Sequence, residues 1–423
     1  MAFAPAPYVE HPNLRTPIAL IVDDPAPCIN PLWYFRHQVD GEDEPAHERT
    51  IPLDFMRDWC EWVAGSGIRG DFTVLPFPAG LGRIDQGLSG FDSGEVREWL
   101  SLARTYIAPR FDIHCEILTH TNALDLATER MLPIGEHDWI DRQDEATLTA
   151  YFTTAMRILR EADLPNHGLT QPCTYNGDES MYARAILAAE KAVNGRSVTH
   201  NFLHVDGVSH FVPPRLTYLD ESAGEAVVSV WSAMDDYLWN TQERGSPEGE
   251  WSPERLADRF LTADGKSGRL IELLNGGGPM VTVTHWQSLY SNGSQRGFAA
   301  YREVVARVEA FLGERVAWRK LSEIADQTLM RQTVRFHSTA TADRVEVDVS
   351  APFGCEVLTV SIPMPWPLFS GPAVEIDGVL QQWVAETSQM AVGTWCMRGS
   401  VVTVSLSIAA NVARRIAVSA TWR

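Results

Sequence analysis

A change of hydrophobic period near residue 335 constrains this chain more than any other feature. Before it, short apolar runs alternate with stretches whose apolar residues recur every three to four positions, the pattern of strands alternating with amphipathic helices. After it, every-other-residue patterning takes over: Val345/Val347/Val349, Val402/Val404/Leu406/Ile408 and Ile416/Val418/Ala420/Trp422. The first pattern predicts an α/β domain on a parallel sheet. The second predicts an antiparallel β-sandwich with proline-rich turns such as Pro363-Met-Pro-Trp-Pro367. The expected domains are 1–335 and 336–423, and 423 residues are ample for two cores.

Within the first region the units run in one direction. A strand at Ile18–Val22 is followed by a polar loop through Glu48, expected to lie over a site. A helix from Pro52, with Met56, Trp59, Cys60 and Val63 on one face, leads to a strand at Asp71–Leu75. Further units place strands at Phe111–Leu118, around Leu169, at Ser197–His204 and at Met280–Thr284. The last strand precedes an amphipathic helix carrying Phe298, Tyr301, Val305, Val308 and Leu312.

Composition removes several functions. Lys+Arg 35 against Asp+Glu 55 gives a net charge of −20, which repels phosphate backbones, so no nucleic-acid partner is expected. Apolar runs such as Pro17–Val22 fall far short of the ~20 residues that cross a bilayer. With no basic stretch leading an apolar core at the N-terminus, the expected location is cytoplasmic. Six scattered cysteines without a C-x-x-C motif read as reduced, buried thiols.

Candidate chemistry clusters at strand C-termini, the functional edge of parallel α/β folds. Asp23-Asp24 ends the first strand, and its two side chains are suited to different tasks, one binding a metal and one taking a proton. In Phe111-Asp-Ile-His-Cys-Glu-Ile-Leu-Thr-His120, the residues His114, Glu116 and His120 share one face if the strand continues, and Glu116 and His120, four apart, share one face of a helical turn if it does not. His114 reads equally as a hydrogen-bonded core histidine. Carboxylate and imidazole are ordinary ligands for zinc and similar ions. His285, after Met280–Thr284, is placed to act as a general acid, whereas His200, His204 and Asp206 are weaker candidates. Gly265-Lys-Ser267 lacks the opening glycine of a phosphate loop, and no G-x-S-x-G elbow occurs. Trp33, Tyr34 and Phe35 in the first loop, Trp139, and Trp286 and Tyr290 beside His285 offer flat faces for a sugar, with His204 a further substrate contact.

These motifs together resemble the polysaccharide deacetylase family, the NodB-homology fold, over about residues 16 to 335. The resemblance rests on Asp23-Asp24 after strand one, on Glu116-Ile-Leu-Thr-His120 with the spacing of the family's His-x-x-x-His pair, and on His285 after Val-Thr-Val-Thr. It implies a deformed (β/α) barrel and removal of an acyl group from a sugar. By that resemblance Asp23 is the base, His285 the acid, and Asp24, Glu116 and His120 the ligands of a divalent metal, zinc, manganese or another. Two departures stand out: Glu116 replaces the first histidine, and Gln171-Pro-Cys-Thr-Tyr175 echoes the family's Arg-x-Pro-aromatic segment without its arginine.

Three carboxylates in one mouth cannot all stay ionised without a neutralising charge. A divalent cation is one solution. A raised carboxyl pKa is the other, and it suits a glycosidase using Asp23 or Asp24 with Glu116. A carbohydrate-binding protein without catalysis is a third expectation. The expected partner in each case is a carbohydrate or other small molecule.

Overall fold

The computed structural model describes residues 5–171, 175–243, 251–365 and 371–420. Pro172–Thr174, with Cys173, therefore lie outside the described residues, as do Trp366, Pro367 and Trp422. Among the described residues, seven parallel strands form the central ladder, β1 (Thr16–Asp23), β2 (Gly70–Val74), β3 (Phe111–Glu116), β4 (Asn166–Thr170), β5 (Val198–Phe202), β6 (Glu225–Ser229) and β7 (Met280–His285), and a short eighth, Val316–Trp318, pairs parallel with the start of β1. Their spatial order is β7-β1-β2-β3-β4-β5-β6, and an antiparallel strand, Arg215–Asp220, borders β6.

Among the described residues the ladder does not close. Between its two ends, Ala233 N donates to Val281 O where a closed barrel would have a full strand pairing. The expected barrel is thus an open parallel sheet, with the chain after β6 meeting β7 at that contact. Strand β6 carries little local signal, because its five residues sit in an irregular stretch and pair on one side with an antiparallel neighbour.

Alternation within each strand sorts two environments. Leu20, Val22, Phe72 and Ile113 face outward and pack with helix residues such as Met56, Trp59, Trp99, Phe152 and Tyr301. Ala19, Ile21, Val281 and Val283 face inward, and their apolar cluster continues through the helix Leu321–Thr333 into the C-terminal sandwich. Among the described residues the sandwich consists of two five-stranded sheets. One of them takes in Tyr8–Val9, which pairs antiparallel with Cys355–Pro363. The pairing places Tyr8–Val9, from the expected first region, in a sheet otherwise built from residues after 335, and two residues without pattern could not announce it.

The polar first loop contains a helix, Pro31–Gln38, where the sequence predicts coil. Its start is conventional, since Asn30 accepts from Leu32 N and proline occupies the first turn. Cys28, Cys60, Cys115, Cys355 and Cys396 are free thiols. No helix among the described residues is long and apolar enough to cross a membrane.

Candidate metal and acid–base site

Strands β1, β2 and β3 deliver Asp23, Thr73 and Glu116 side by side at their C-terminal ends. The Thr73 hydroxyl lies 2.8 Å from Asp23 Oδ1 and 2.7 Å from Glu116 Oε2, and it accepts Asp24 N–H at 3.1 Å. One hydroxyl hydrogen cannot serve both carboxylates. Glu116 Oε2 also accepts Asp24 N–H at 2.8 Å.

Strand β3 ends at Glu116, so His120 reaches the site from a turn and not from strand parity. Both Asp24 (φ 68) and His120 (φ 61) adopt left-handed backbone conformations, a strain that surrounding structure must hold in place. His120 Nε2 stands 2.8 Å from Asp24 Oδ1 and 3.4 Å from Glu116 Oε1. One ligand atom from each of Asp24, Glu116 and His120 falls within 4.8 Å of the other two. Asp24 Oδ1 and Glu116 Oε1 are buried, and neither accepts a hydrogen bond of normal geometry. Unsatisfied carboxylate oxygens facing an imidazole are what a divalent cation would complete, so this donor set fits a metal. Gln287 Nε2 donates to Asp24 Oδ2, leaving Oδ1 for that role.

The local charges follow from burial and crowding. Burial, reinforced by the Asp24 charge, pushes the Asp23 carboxyl up to about 7. Burial together with Asp24 and Asp23 drives Glu116 well above the carboxylate range. Burial opposes ionisation of Asp24 as well, but the His120 imidazolium outweighs it and holds Asp24 well below the usual range.

His285 lies across the mouth, with Nε2 3.8 Å from Asp23 Oδ2. Its Nδ1 is 2.8 Å from Asp236 Oδ2. Asp236 is in turn fixed by Thr284 Oγ1, His285 N–H and Ser288 Oγ. Burial disfavours the charged ring, yet the bond to Asp236 and the Asp24 charge raise its pKa to about 9. Because the folded protein binds this proton more tightly than the unfolded chain, the pair adds its stability in full below about 6.5, the ordinary imidazole value, and loses it as pH rises through about 9. An NMR titration of the His285 ring is expected to show that midpoint, falling towards 6.5 in Asp236→Asn. A wild-type midpoint at or below 6.5 would contradict the pairing.

The expected substrate residues divide. Trp286 is fully buried among Phe55, Trp59 and Phe72, and Tyr290 is 6% exposed with its hydroxyl on Glu48; neither presents a face to a ligand. The helix Trp286–Tyr290 begins directly after His285 and turns both rings into the core. Trp33 stacks on His37, Trp139 packs on Tyr151, and His204 pairs with Glu179 at 3.1 Å. The aromatics beside the chemistry are Phe35, 6.0 Å from the His120 ring, and Trp239, 4.7 Å from the His285 ring. His114 and His200 face each other at 2.8 Å inside the sheet, fully buried, as core histidines.

Sequence reasoning missed Thr73, Asp236, Glu136, Gln287 and Trp239. A second Asp-Asp pair, Asp235-Asp236, follows the apolar run Ala226-Val-Val-Ser-Val230 after four intervening residues, and that looser echo of Asp23-Asp24 was the available signal for Asp236.

No family description matches this chain, and no curated protein matches it. Among solved structures, it is similar to a provisionally assigned glycoside hydrolase/deacetylase from Parabacteroides distasonis (9% identity, 84% of this chain and 82% of that one, TM-score 0.41). It is also similar to the α-fucosidase of Thermotoga maritima (8% identity, 97% of each chain, TM-score 0.33). A third likeness is to the lactam utilization protein of Thermus thermophilus (16% identity, 59% of this chain and 89% of that one, TM-score 0.27). Likenesses this distant fix neither a family nor an activity.

Proposed function

We propose that this protein is a metal-dependent hydrolase that removes an N- or O-acyl group, acetyl foremost, from a sugar or glycan. The observation that carries the reading is the convergence of Asp24 Oδ1, Glu116 Oε1 and His120 Nε2, two of them buried oxygens lacking a hydrogen bond, beside a separate carboxylate and a separate imidazole. A divalent ion held there supplies a Lewis acid and makes water nucleophilic near neutral pH.

Asp23 takes the proton of the attacking water. Its Oδ1 is held by Thr73 and its Oδ2 is turned towards His285 Nε2, 3.8 Å away. His285 protonates the departing amine or alkoxide. With Nδ1 committed to Asp236, Nε2 is the nitrogen left to meet substrate. Phe35, beside His120, and Trp239, beside His285, are both half-buried and supply the aromatic surface nearest these groups for the apolar face of a sugar.

The glycosidase alternative has less support. Its two carboxyls must flank a glycosidic bond about 5 to 9 Å apart. Here Glu116 is fully buried, with Oε2 taken up by Thr73 and Asp24 N–H and Oε1 turned towards His120, so its carboxyl is not presented to a glycosidic bond. Elemental analysis of protein purified without chelator tests the proposal. About one equivalent of a divalent metal is expected, lost in Asp24→Asn. Less than about a tenth of an equivalent, with activity that survives chelator, defeats the metal reading and favours the glycosidase.

A further inference from the structure

Histidines that bind metals are usually aimed through their second ring nitrogen, which donates to a carboxylate or carbonyl. His120 lacks that device: its Nδ1 is buried and has no hydrogen-bond partner. Its ring direction must be set elsewhere, and the left-handed φ of 61 means that the backbone would relax if left alone.

The grip is on the main chain. Glu136 is completely buried, and its Oε2 accepts His120 N–H at 2.8 Å. Thr119 N–H lies 3.1 Å from both of its oxygens. Oε1 also accepts the Tyr151 hydroxyl at 2.6 Å, and Glu136 N–H donates to Thr121 O at 2.7 Å. The backbone contacts close the turn that carries His120, and the Tyr151 hydroxyl, from the helix Glu145–Glu161, anchors the carboxylate that makes them. The intervening hairpin, Asn122–Asp125 with Arg130–Gly135, brings the chain back so that Glu136 sits behind this turn.

We infer that Glu136 is a positioning residue for the metal site, holding the Thr119-His120 backbone in the left-handed turn that points His120 Nε2 at Asp24 and Glu116. The inference rests on the metal-dependent reading above. Glu136 is not itself a ligand, because its oxygens are engaged by two N–H groups and a hydroxyl. An amide at this position keeps the shape but offers one acceptor oxygen where two are used, and its NH2 would face a donor.

The test is titration of the metal-free full chain with Co2+, followed by calorimetry and by the visible d–d absorption that reports ligand geometry. The wild type is expected to bind one ion. Glu136→Gln is expected to bind about 10- to 100-fold more weakly, with altered band positions and intensities. Tyr151→Phe keeps the carboxylate and removes only one of its donors, so it is expected to show a smaller loss with the same spectral change. A role in folding alone would lower the melting temperature and leave the affinity and spectrum of the folded fraction unchanged. If Glu136→Gln folds and binds Co2+ with wild-type affinity and spectrum, the inference is overturned. If it does not fold, an unchanged Tyr151→Phe overturns the inference instead. A wild type that binds no divalent ion defeats the metal reading itself, whereas a wild type that binds with variants that match it defeats only the role of Glu136.

Discussion

Asp23→Asn is expected to retain its divalent metal and to lose about 10²- to 10⁴-fold in kcat/KM on an acetylated sugar, the usual worth of a positioned general base. Asparagine matches the shape of aspartate and can still accept from Thr73, so the neighbouring Asp24 and Glu116 keep their places. What disappears is the ability to accept a proton. The metal should stay because Asp23 is not among the three converging ligands. The contrast with Asp24→Asn, which should lose metal and activity together, separates the two adjacent aspartates into the roles proposed for them. Full activity in Asp23→Asn removes the base assignment, and metal loss in the same variant would make Asp23 a ligand.

The two aspartates were legible because strand period and strand end are both local properties: Ile18–Val22 is an unbroken apolar run and acids follow it directly. Glu116 was legible by another route, strand parity with His114 and its spacing to His120, although β3 ends at Glu116 and not at Leu118 as expected. His120 was found by spacing but for the wrong geometry, since β3 stops at Glu116 and a turn with positive φ does the rest. Asp236 lies in the irregular segment that follows β6, and it meets His285 only because tertiary pairing brings that segment beside β7, a topology that no local pattern carries. Trp286 shows the opposite failure. Adjacency to His285 in sequence suggested a shared mouth, but one residue further along a helix that starts at once, the side chain points into the core. In the fold as a whole, the α/β-to-β transition was written in hydrophobic period. Sheet closure and the crossover of Tyr8–Val9 depend on long-range pairing and were not.

Beneath the site the inward face of the sheet is polar on one side, and this makes Gly168 the position where a single methyl group should cost most. Gly168 has φ +101, and a Cβ there would lie 2.4 Å from His114 Nε2 and 2.9 Å from the backbone oxygen of His200. The His114 ring cannot step aside easily. Its Nδ1 sits 2.7 Å from Asp71 and 2.9 Å from Thr170, and its Nε2 is 2.8 Å from His200, with all of these groups buried. Gly168→Ala therefore combines backbone strain of about 1 to 3 kcal/mol, overpacking of about 1 to 3 kcal/mol and a displaced buried hydrogen bond of about 1 to 3 kcal/mol. A loss of about 4 kcal/mol or more is expected in urea denaturation, in the range reserved for severe core lesions. Gly195→Ala is the control, because Gly195 shares a positive φ (67) but has nothing within 4 Å of its Cβ position, so only the strain remains. Adding His114→Ala to Gly168→Ala should recover part of the loss, since the clashing ring is gone, although a new void and an unpaired His200 limit the gain. If Gly168→Ala costs no more than Gly195→Ala, the histidine pair is loosely held, and the strand layer that supports Glu116 two residues above His114 is softer than these distances imply.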